Sequence, residues 1–481
     1  MCACQPGTVK LRRIVSAYAL LVLIGCDDSA PPPPPPVDGG PMLRDGELRD
    51  VPIVDVGSPR RDGALLPAAD IEVVLPYLGD EVVEERIIDA QPGRLDVHFS
   101  IDTTGSFGGE IDALQRDLSS RIIPTLEDRV NDVAFGVSRF EDFPIRPYGS
   151  EGDSPFQLLA SMSRDRSRAQ SGVARLDQPL GAGGDAPESG YEALYQIATG
   201  EGLFIAGVQY VNPFGGTGLG GVGFRAQALH VVVHVTDATS HVPSDYADLP
   251  GTHGEDDAID ALAEIEGYVI GIASGEGARP QLERMALATD AWVPEEGGAC
   301  ATGIGGETHP PSSGRCPLVF DIDPEGNGLS DAIIDAIVGL LDSVQYEEVY
   351  GEVLDDRLGF VKAVEALEAI PVDGAMPPRQ ADLRPMDGID DTFQMVRIGT
   401  DLRFAIRMRN TTIPPATYDQ IFRLTVQILG DGNVLDEVTI RVIVPAGFLD
   451  AGITDAGAGD AGADAGADAG DAGADAGADG G

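Results

Sequence analysis

Between residues 94 and 345, short apolar segments alternate with segments of helical periodicity. The apolar run from Leu95 to Ile101 is followed by apolar side chains at every third or fourth position between residues 111 and 123, which is the spacing of a helix with one buried face. The same alternation recurs around the strongly apolar segment from Ala228 to Thr236. Strands that alternate with helices predict an α/β fold on a doubly wound, mostly parallel sheet.

The C-terminal part of the chain has a different pattern. Between residues 346 and 448, several segments have an apolar side chain at every second position, which is the period of a strand. The Gly-Asp-Gly-Asn sequence of residues 430–433 is typical of a hairpin turn. This pattern predicts an antiparallel β-sandwich as a second domain. Strand-like segments also lie within residues 69–93. We expect them to join the sandwich, so that the α/β domain of residues 94–345 is inserted into it.

The first 25 residues have the features of an export signal. Basic residues precede an apolar run that ends in Leu23-Ile24-Gly25-Cys26. The run is shorter than the ~20 residues that cross a bilayer, but it fits a secretory signal. Its ending resembles the bacterial lipoprotein box, which implies lipid attachment at Cys26 and a membrane-anchored location in the bacterial cell envelope, at the outer membrane or cell surface. The alternative is a secreted protein with a chance cysteine.

Two low-complexity segments flank the predicted domains. Residues 26–68 include the proline run 31–36, which favours an extended, semi-rigid spacer. Residues 449–481 consist almost entirely of Ala, Gly and Asp. Such a segment cannot bury enough apolar surface to fold, so we expect a disordered tail.

The chain has five cysteines. Cys2 and Cys4 would leave with the signal and Cys26 would carry lipid, which leaves Cys300 and Cys316. In an exported protein this pair predicts a disulfide. The alternative is a pair of free buried thiols.

The charge balance excludes some partners. The chain contains 32 Lys and Arg against 79 Asp and Glu, a net charge of −47. Nucleic-acid binding is disfavoured because phosphate contacts need a positive surface. An excess of carboxylates suits hard divalent cations, which take oxygen ligands.

The first strand of the α/β region ends in Asp102-Thr103-Thr104-Gly105-Ser106, immediately before a helix. Ligands of doubly wound sheets bind at the carboxyl ends of strands. The carboxylate of Asp102 and the hydroxyls of Thr104 and Ser106 can face one point and bind an octahedral cation, with other positions left to water. This pattern resembles the Asp-x-Ser-x-Ser motif of von Willebrand factor A domains, their metal-ion-dependent adhesion site.

Further segments resemble the I-like domain of integrin β subunits. Asp237 ends the apolar strand where these domains place a second metal carboxylate. The sequence Asp-Ala-Pro-Glu-Ser-Gly, which begins at Asp185, is similar to the integrin core Asp-x-Pro-Glu-x-Gly, and residues 140–144 resemble Phe-x-Asp-x-Pro. The resemblance implies that Glu188 and Asp237 complete the adhesion site. It also implies that Asp142, Asp185 and Glu188 line a neighbouring cation site.

Two positions depart from the integrin pattern. Of the paired acids of a third integrin metal site, Glu110 stands for one and Gly109 replaces the other. Gly183 replaces an asparagine of the neighbouring site. The resemblance, which covers about residues 94–345, implies Mg²⁺ or Mn²⁺ at the adhesion site and Ca²⁺ at the neighbouring site.

No residue is predicted to be catalytic. The glycine-rich residues 216–221 match a dinucleotide fingerprint, but they precede a strand instead of opening a helix. No serine has a convincing histidine and aspartate partner set. We expect His98, His230 and His234 to be buried and hydrogen-bonded, whereas His241, just after the adhesion-site strand, is left open.

These features together predict a lipid-anchored envelope protein, not an enzyme. A carboxylate of a protein or other acidic partner, such as a glycan, would complete the coordination shell of its bound cation. Two rival functions remain. A carboxylate-bound metal can activate water for hydrolysis, and a structural envelope protein can carry a vestigial site.

Overall fold

The computed structural model describes residues 69–447, except residues 178, 276 and 373–375. The predicted signal peptide (1–25), the lipid attachment at Cys26, the tether (26–68) and the tail (449–481) lie outside the described residues. In the part that is described, no helix is long and apolar enough to cross a membrane.

Two strands come first in the chain, and an α/β region follows them. The strands are β1 (Ile71–Val74) and β2 (Val82–Asp89). The elements of the α/β region are β3 (Arg94–Asp102), α1 (Gly108–Asp117), a π-helical turn (Leu118–Ile122), α2 (Ile123–Glu127), β4 (Asp132–Phe140), β5 (Gln157–Ser163), α3 (Arg166–Val173), α4 (Gly190–Thr199), β6 (Leu203–Ile205), β7 (Val208–Val211), β8 (Leu229–Thr236), α5 (Glu255–Glu264), β9 (Gly267–Ala273), α6 (Arg279–Ala288), β10 (Trp292–Pro294), a 3₁₀ turn (Ile304–Gly306), β11 (Arg315–Pro317), β12 (Val319–Asp321) and α7 (Leu329–Ser343). The remaining strands are β13 (Gln345–Leu354), β14 (Val361–Ile370), β15 (Arg379–Ala381), β16 (Thr392–Arg397), β17 (Asp401–Met408), β18 (Gln420–Gly430) and β19 (Asn433–Val444).

The α/β domain is built on a six-stranded sheet of order β12-β9-β8-β3-β4-β5. Neighbouring strands are parallel except β5, which runs antiparallel to β4. Val97 and Phe99 of β3 share one apolar cluster with helices α1 and α7, whereas Val232 of β8 and Phe140 of β4 belong to a second cluster with α4 and α5. Because helices cover both faces, the central strands β3, β4 and β8 are buried along almost their whole length, and the predicted doubly wound α/β fold is confirmed.

The second domain is a β-sandwich. Its sheets have the orders β1-β19-β18-β13-β16-β15 and β14-β17-β2, and the rings of Phe393 and Phe404 meet between them at 5.2 Å. Strand β1 pairs in parallel with β19, and β2 pairs antiparallel with β17. The two strands that precede the α/β domain therefore lie in the same sheets as strands that follow it.

The two domains share one apolar core. Leu340 and Val344 at the end of α7 belong to the same buried cluster as Tyr346 and Val349 of β13. A backbone bond from the Gly93 amide to the Val434 carbonyl (2.8 Å) ties the entry to β3 to the sandwich. The sandwich therefore supports the end of the α/β domain where α7 leaves.

Cys300 and Cys316 form the predicted disulfide. The loop that it closes lies beside the strand pair β10–β11 and contacts β12 through the Asp321 amide, which donates to the Thr302 carbonyl at 2.9 Å. The side chain of His309 in this loop pairs with Asp321 at 2.6 Å. The disulfide thus holds an otherwise irregular segment against the sheet.

We expect the double variant Cys300→Ser, Cys316→Ser to lose about 2–3 kcal/mol of unfolding free energy, because a loop of this size gains much conformational entropy when it is released in the unfolded chain. Denaturant unfolding under oxidising conditions measures the loss. Wild-type protein in reductant should match the variant, and an unchanged unfolding midpoint in both samples would contradict the prediction.

Candidate metal centre

The carboxyl ends of three neighbouring strands gather the predicted site residues. Strand β3 ends at Asp102, Asp142 follows the end of β4, and Asp237 follows the end of β8. Because β4, β3 and β8 are adjacent and parallel, their ends lie at one edge of the sheet, where ligands of such folds bind.

Asp102 is fully buried at this edge. Its Oδ1 accepts hydrogen bonds from the Thr104 amide (3.0 Å) and hydroxyl (2.8 Å), and its Oδ2 accepts one from the Thr236 hydroxyl (2.7 Å). Burial raises the pKa of Asp102 to about 7, against these hydrogen bonds and with the help of the nearby charge of Asp237. A cation beside Asp102 would reverse that balance and favour the ionised carboxylate.

Backbone hydrogen bonds join the loops that carry the site. The Gly181 amide donates to the Thr103 carbonyl (2.8 Å), the Glu188 amide donates to the Thr239 carbonyl (2.8 Å), and the His241 amide donates to the Glu188 carbonyl (2.8 Å). These bonds extend the sheet edge beyond the strands. They fix the 181–188 loop between the loops that follow β3 and β8, and so bring Glu188 close to residues far from it in sequence.

Glu188 is the most electrostatically unfavourable acid at this edge. It is only 5% exposed, and within the described part of the chain its Oε2 has no hydrogen-bond partner. Burial, together with the charges of nearby acids, raises the pKa of Glu188 to about 10; these acids are Asp102, Asp142, Asp153 and Asp185. A buried carboxyl oxygen without a donor requires an explanation, and a divalent cation at this position supplies one.

The other two predicted ligands are more accessible. Asp237 is partly exposed at the end of β8, and its negative charge raises the pKa of both Asp102 and Glu110. Ser106 is exposed just before α1. The edge therefore combines buried acids with groups that face solvent, an arrangement that leaves room for a ligand from outside.

A second cluster lies beside the first. Ligand atoms of Asp142, Asp185 and His241 lie within 4.8 Å of one another. His241 Nε2 is 3.2 Å from Asp142 Oδ2 and 3.3 Å from Asp185 Oδ1. Burial alone would lower the pKa of His241, but the hydrogen bonds and charges of Asp142 and Asp185 raise it to about 9. The histidine that the sequence left open is thus part of this cluster.

Sequence reasoning missed three residues that shape the edge. The Tyr246 hydroxyl donates to Asp142 Oδ1 (2.8 Å). Asp153 accepts from the amides of Ser150 (2.7 Å), Ala182 (3.1 Å) and Gly183 (3.1 Å). Glu141 accepts from the Thr103 hydroxyl and from the Ser154 amide. None of these bonds joins residues of one recognisable motif, so no local sequence signal reveals them.

The surroundings of Glu110 and Gly109 explain why only one of the two paired acids of the third integrin metal site is present. Glu110 is buried, its Oε1 accepts from the Ser274 hydroxyl, and its Oε2 has no hydrogen-bond partner among the described residues. A Cβ on Gly109 would lie 2.8 Å from the Glu325 carbonyl oxygen, closer than real Cβ contacts. A second acid therefore cannot occupy position 109 without movement of the loop before α7.

The other strand histidines are core residues. His98 Nε2 contacts Ser138 Oγ (2.8 Å), His234 Nδ1 contacts Ser100 Oγ (3.0 Å), and His230 contacts two backbone carbonyls. Burial lowers the pKa values of His98 and His234 to about 3. They are buried and hydrogen-bonded, as the sequence pattern predicted.

Comparisons with known proteins give distant similarities. No family model matches the chain. Integrin beta-6 of Rattus norvegicus is 20% identical over 217 residues, which cover 41% of this chain and 25% of that protein. The chain therefore spans about a quarter of the length of this curated relative.

Two solved structures are also similar. The von Willebrand factor type A protein from Catenulispora acidiphila has a TM-score of 0.31 and 14% identity, with 77% of this chain and 71% of that chain covered. Proximal thread matrix protein 1 from the mussel byssus has a TM-score of 0.30 and 12% identity, with 54% and 48% covered.

The sheet order, the acids at its carboxyl edge and the integrin similarity agree on one class of domain. The α/β domain resembles von Willebrand factor A domains and the I-like domain of integrin β subunits in its sheet order and in the acids at its carboxyl edge. Its carboxyl edge contains an acidic cluster with the residue types that hold a divalent cation.

Proposed function

We propose that this chain is an adhesion-type binding protein of the bacterial cell envelope, and that it binds a carboxylate of a protein or glycan partner through a divalent cation. The observation that carries the proposal is the state of Glu188. This buried acid has an unpartnered oxygen and lies among further buried acids. Such an arrangement is costly without a cation and useful with one.

Five residues of the sheet edge would hold the cation: Asp102, Thr104, Ser106, Glu188 and Asp237. Carboxylates and hydroxyls are hard oxygen ligands, which suit Mg²⁺ or Mn²⁺. The bound cation would supply a positive charge for an anionic group of the partner. Because Ser106 and Asp237 face solvent, a carboxylate from another molecule can reach this part of the edge.

The envelope location rests on the sequence of the first 68 residues. Lipid attachment at Cys26 would anchor the chain to a membrane, and the proline-rich tether (26–68) would separate the folded domains from its surface. The net charge of −47 disfavours direct electrostatic docking on anionic lipid. The carboxyl edge of the α/β sheet, and not the general surface, is therefore the part proposed to recognise the partner.

The test is capture from solubilised bacterial envelope on immobilised protein. We expect material to be retained in Mg²⁺ or Mn²⁺, released by EDTA, and lost when carboxylates of the extract are first amidated, because the cation needs an anionic ligand. Asp237→Asn should lose capture, whereas Asp112→Asn, an equal charge change on an exposed position of α1, should not. Capture that survives EDTA and amidation would contradict the proposal, and metal-dependent turnover of captured material would support a hydrolase instead.

A further inference from the structure

The cluster next to the adhesion site contains a nitrogen ligand. The integrin resemblance implies an all-oxygen Ca²⁺ site of Asp142, Asp185 and Glu188. In the structure, His241 Nε2 lies 3.2 Å from Asp142 Oδ2 and 3.3 Å from Asp185 Oδ1. An imidazole nitrogen therefore occupies the position between the two carboxylates, and the donor set differs in chemical class from the one that the resemblance implies.

The ring of His241 is held with Nε2 toward the acids. Its other nitrogen, Nδ1, faces Asp245 Oδ2 at 3.4 Å, and that carboxylate also accepts from the Val242 amide at 3.0 Å. The rings of Tyr148 and Tyr246 pack against the imidazole with centroids at 5.6 and 4.7 Å. Metal-binding histidines commonly have their second nitrogen oriented by a carboxylate in this way.

Asp142 supplies a second, independent observation. The residue is fully buried, and its Oδ1 already accepts from the Phe143 amide (2.6 Å) and the Tyr246 hydroxyl (2.8 Å). Its Oδ2 faces His241 Nε2 at 3.2 Å, and within the described part of the chain no other donor reaches it. A buried carboxylate oxygen whose only close partner is a ring nitrogen of the same cluster lies where a metal ion could replace the imidazole proton and bind both groups.

We propose that Asp142, Asp185 and His241 form a site for a borderline transition metal of the Zn²⁺ or Co²⁺ type, in place of the Ca²⁺ that an all-oxygen site would select. Imidazole with carboxylates is a donor set of zinc-type sites, whereas Ca²⁺ takes six to eight oxygen ligands. Partly exposed Asp185 leaves a path for the ion. The inference rests on the proposed function, since this ion would lie beside the adhesion-site cation.

The test is metal titration of the folded, exported protein after chelation, followed by calorimetry and, for Co²⁺, by visible absorption. In excess Mg²⁺ we expect one Zn²⁺ or Co²⁺ ion to bind, with cobalt bands typical of nitrogen and oxygen ligands. His241→Asn should weaken Zn²⁺ binding at least 10-fold and remove those bands. The matched control is His253→Asn, because His253 also pairs with a buried acid, Glu192 at 2.9 Å, but lies outside the cluster.

The outcomes separate this inference from the proposed function. Asp102→Asn should abolish Mg²⁺ binding and leave the cobalt bands in place. Preference of the wild type for Ca²⁺ over Zn²⁺, or Zn²⁺ affinity unchanged in His241→Asn, would overturn the transition-metal site and leave the adhesion site untouched. The wild-type metal preference decides the question even if the His241 variant does not fold.

Discussion

Asp102→Asn is expected to reduce Mg²⁺ and Mn²⁺ affinity at the adhesion site by at least a factor of 1000, about 4 kcal/mol of binding free energy. Asp102 is the fully buried carboxylate at the end of β3, and its hydrogen bonds with Thr104 and Thr236 orient it. An amide of the same size carries no charge for the cation. Isothermal titration calorimetry measures the loss, with Mg²⁺ or Mn²⁺ added to protein from which metal has been removed by a chelator.

The fold should tolerate this substitution. An asparagine oxygen can still accept from the Thr104 amide, and burial makes the ionised form of Asp102 unfavourable, which raises its pKa to about 7. Removal of the charge therefore removes the cost of a buried ionised carboxylate from the metal-free protein. Asp142→Asn should leave the Mg²⁺ site intact and lose only the neighbouring ion. Wild-type Mg²⁺ affinity in Asp102→Asn would mean that the ion binds elsewhere and that the proposed function is mistaken.

The fold class and part of the site could be predicted from sequence because both depend on local patterns. Short apolar runs rich in β-branched residues, such as Leu229–Thr236, favour strands that are covered on both faces. Once the strands are parallel, their carboxyl ends must share an edge, so Asp102 and Asp237 were expected to converge. Their pairing with Glu188 needed the integrin resemblance, since a loop that returns to the edge has no periodicity.

What sequence could not provide depends on contacts between distant segments. Tyr246 bonds to Asp142 from 104 positions away, and Asp153 holds Ala182 from 29 positions away. The need for glycine at position 184 also comes from a distant segment, because a Cβ there would lie 2.1 Å from the Pro147 carbonyl oxygen. Turn composition predicts that such residues lie in loops, but it does not specify which loop they contact. The role of His241 was open for the same reason.

Glu188→Gln is expected to stabilise the metal-free protein near pH 7 by up to about 3 kcal/mol. Burial, with the charges of Asp102 and Asp142 among others, raises the pKa of Glu188 from the ordinary 4.5 to about 10. Between these values the folded state holds a proton that the unfolded state has released. The free energy of unfolding therefore falls as pH rises from about 4.5 toward 10. Glutamine is neutral throughout, so the variant should lack this part of the pH dependence.

A bound cation should make the wild type more stable than the Glu188→Gln variant, the reverse of their order in the metal-free state. With Mg²⁺ bound, the ionised form of Glu188 gains a positive partner, and ligand binding to the folded state alone stabilises it further. Glutamine supplies only a neutral oxygen, so the variant should gain little. Denaturant unfolding at pH 4.5, 7 and 9, each in EDTA and in Mg²⁺, measures both effects. Glu151→Gln, on an exposed position of the loop after β4, is the matched control.

The crossing of stabilities distinguishes a metal ligand from an ordinary buried acid. If Glu188 served only to hold its loop, glutamine would be neutral or destabilising in EDTA and Mg²⁺ would affect both proteins equally. Its backbone already fixes the loop, because the Glu188 amide and carbonyl bond to Thr239 and His241 at 2.8 Å each. Glutamine keeps these backbone bonds, so the substitution should not release the loop. A variant that is less stable than wild type in EDTA at pH 7 would show that the carboxyl group has a donor in the folded protein and is not reserved for a cation.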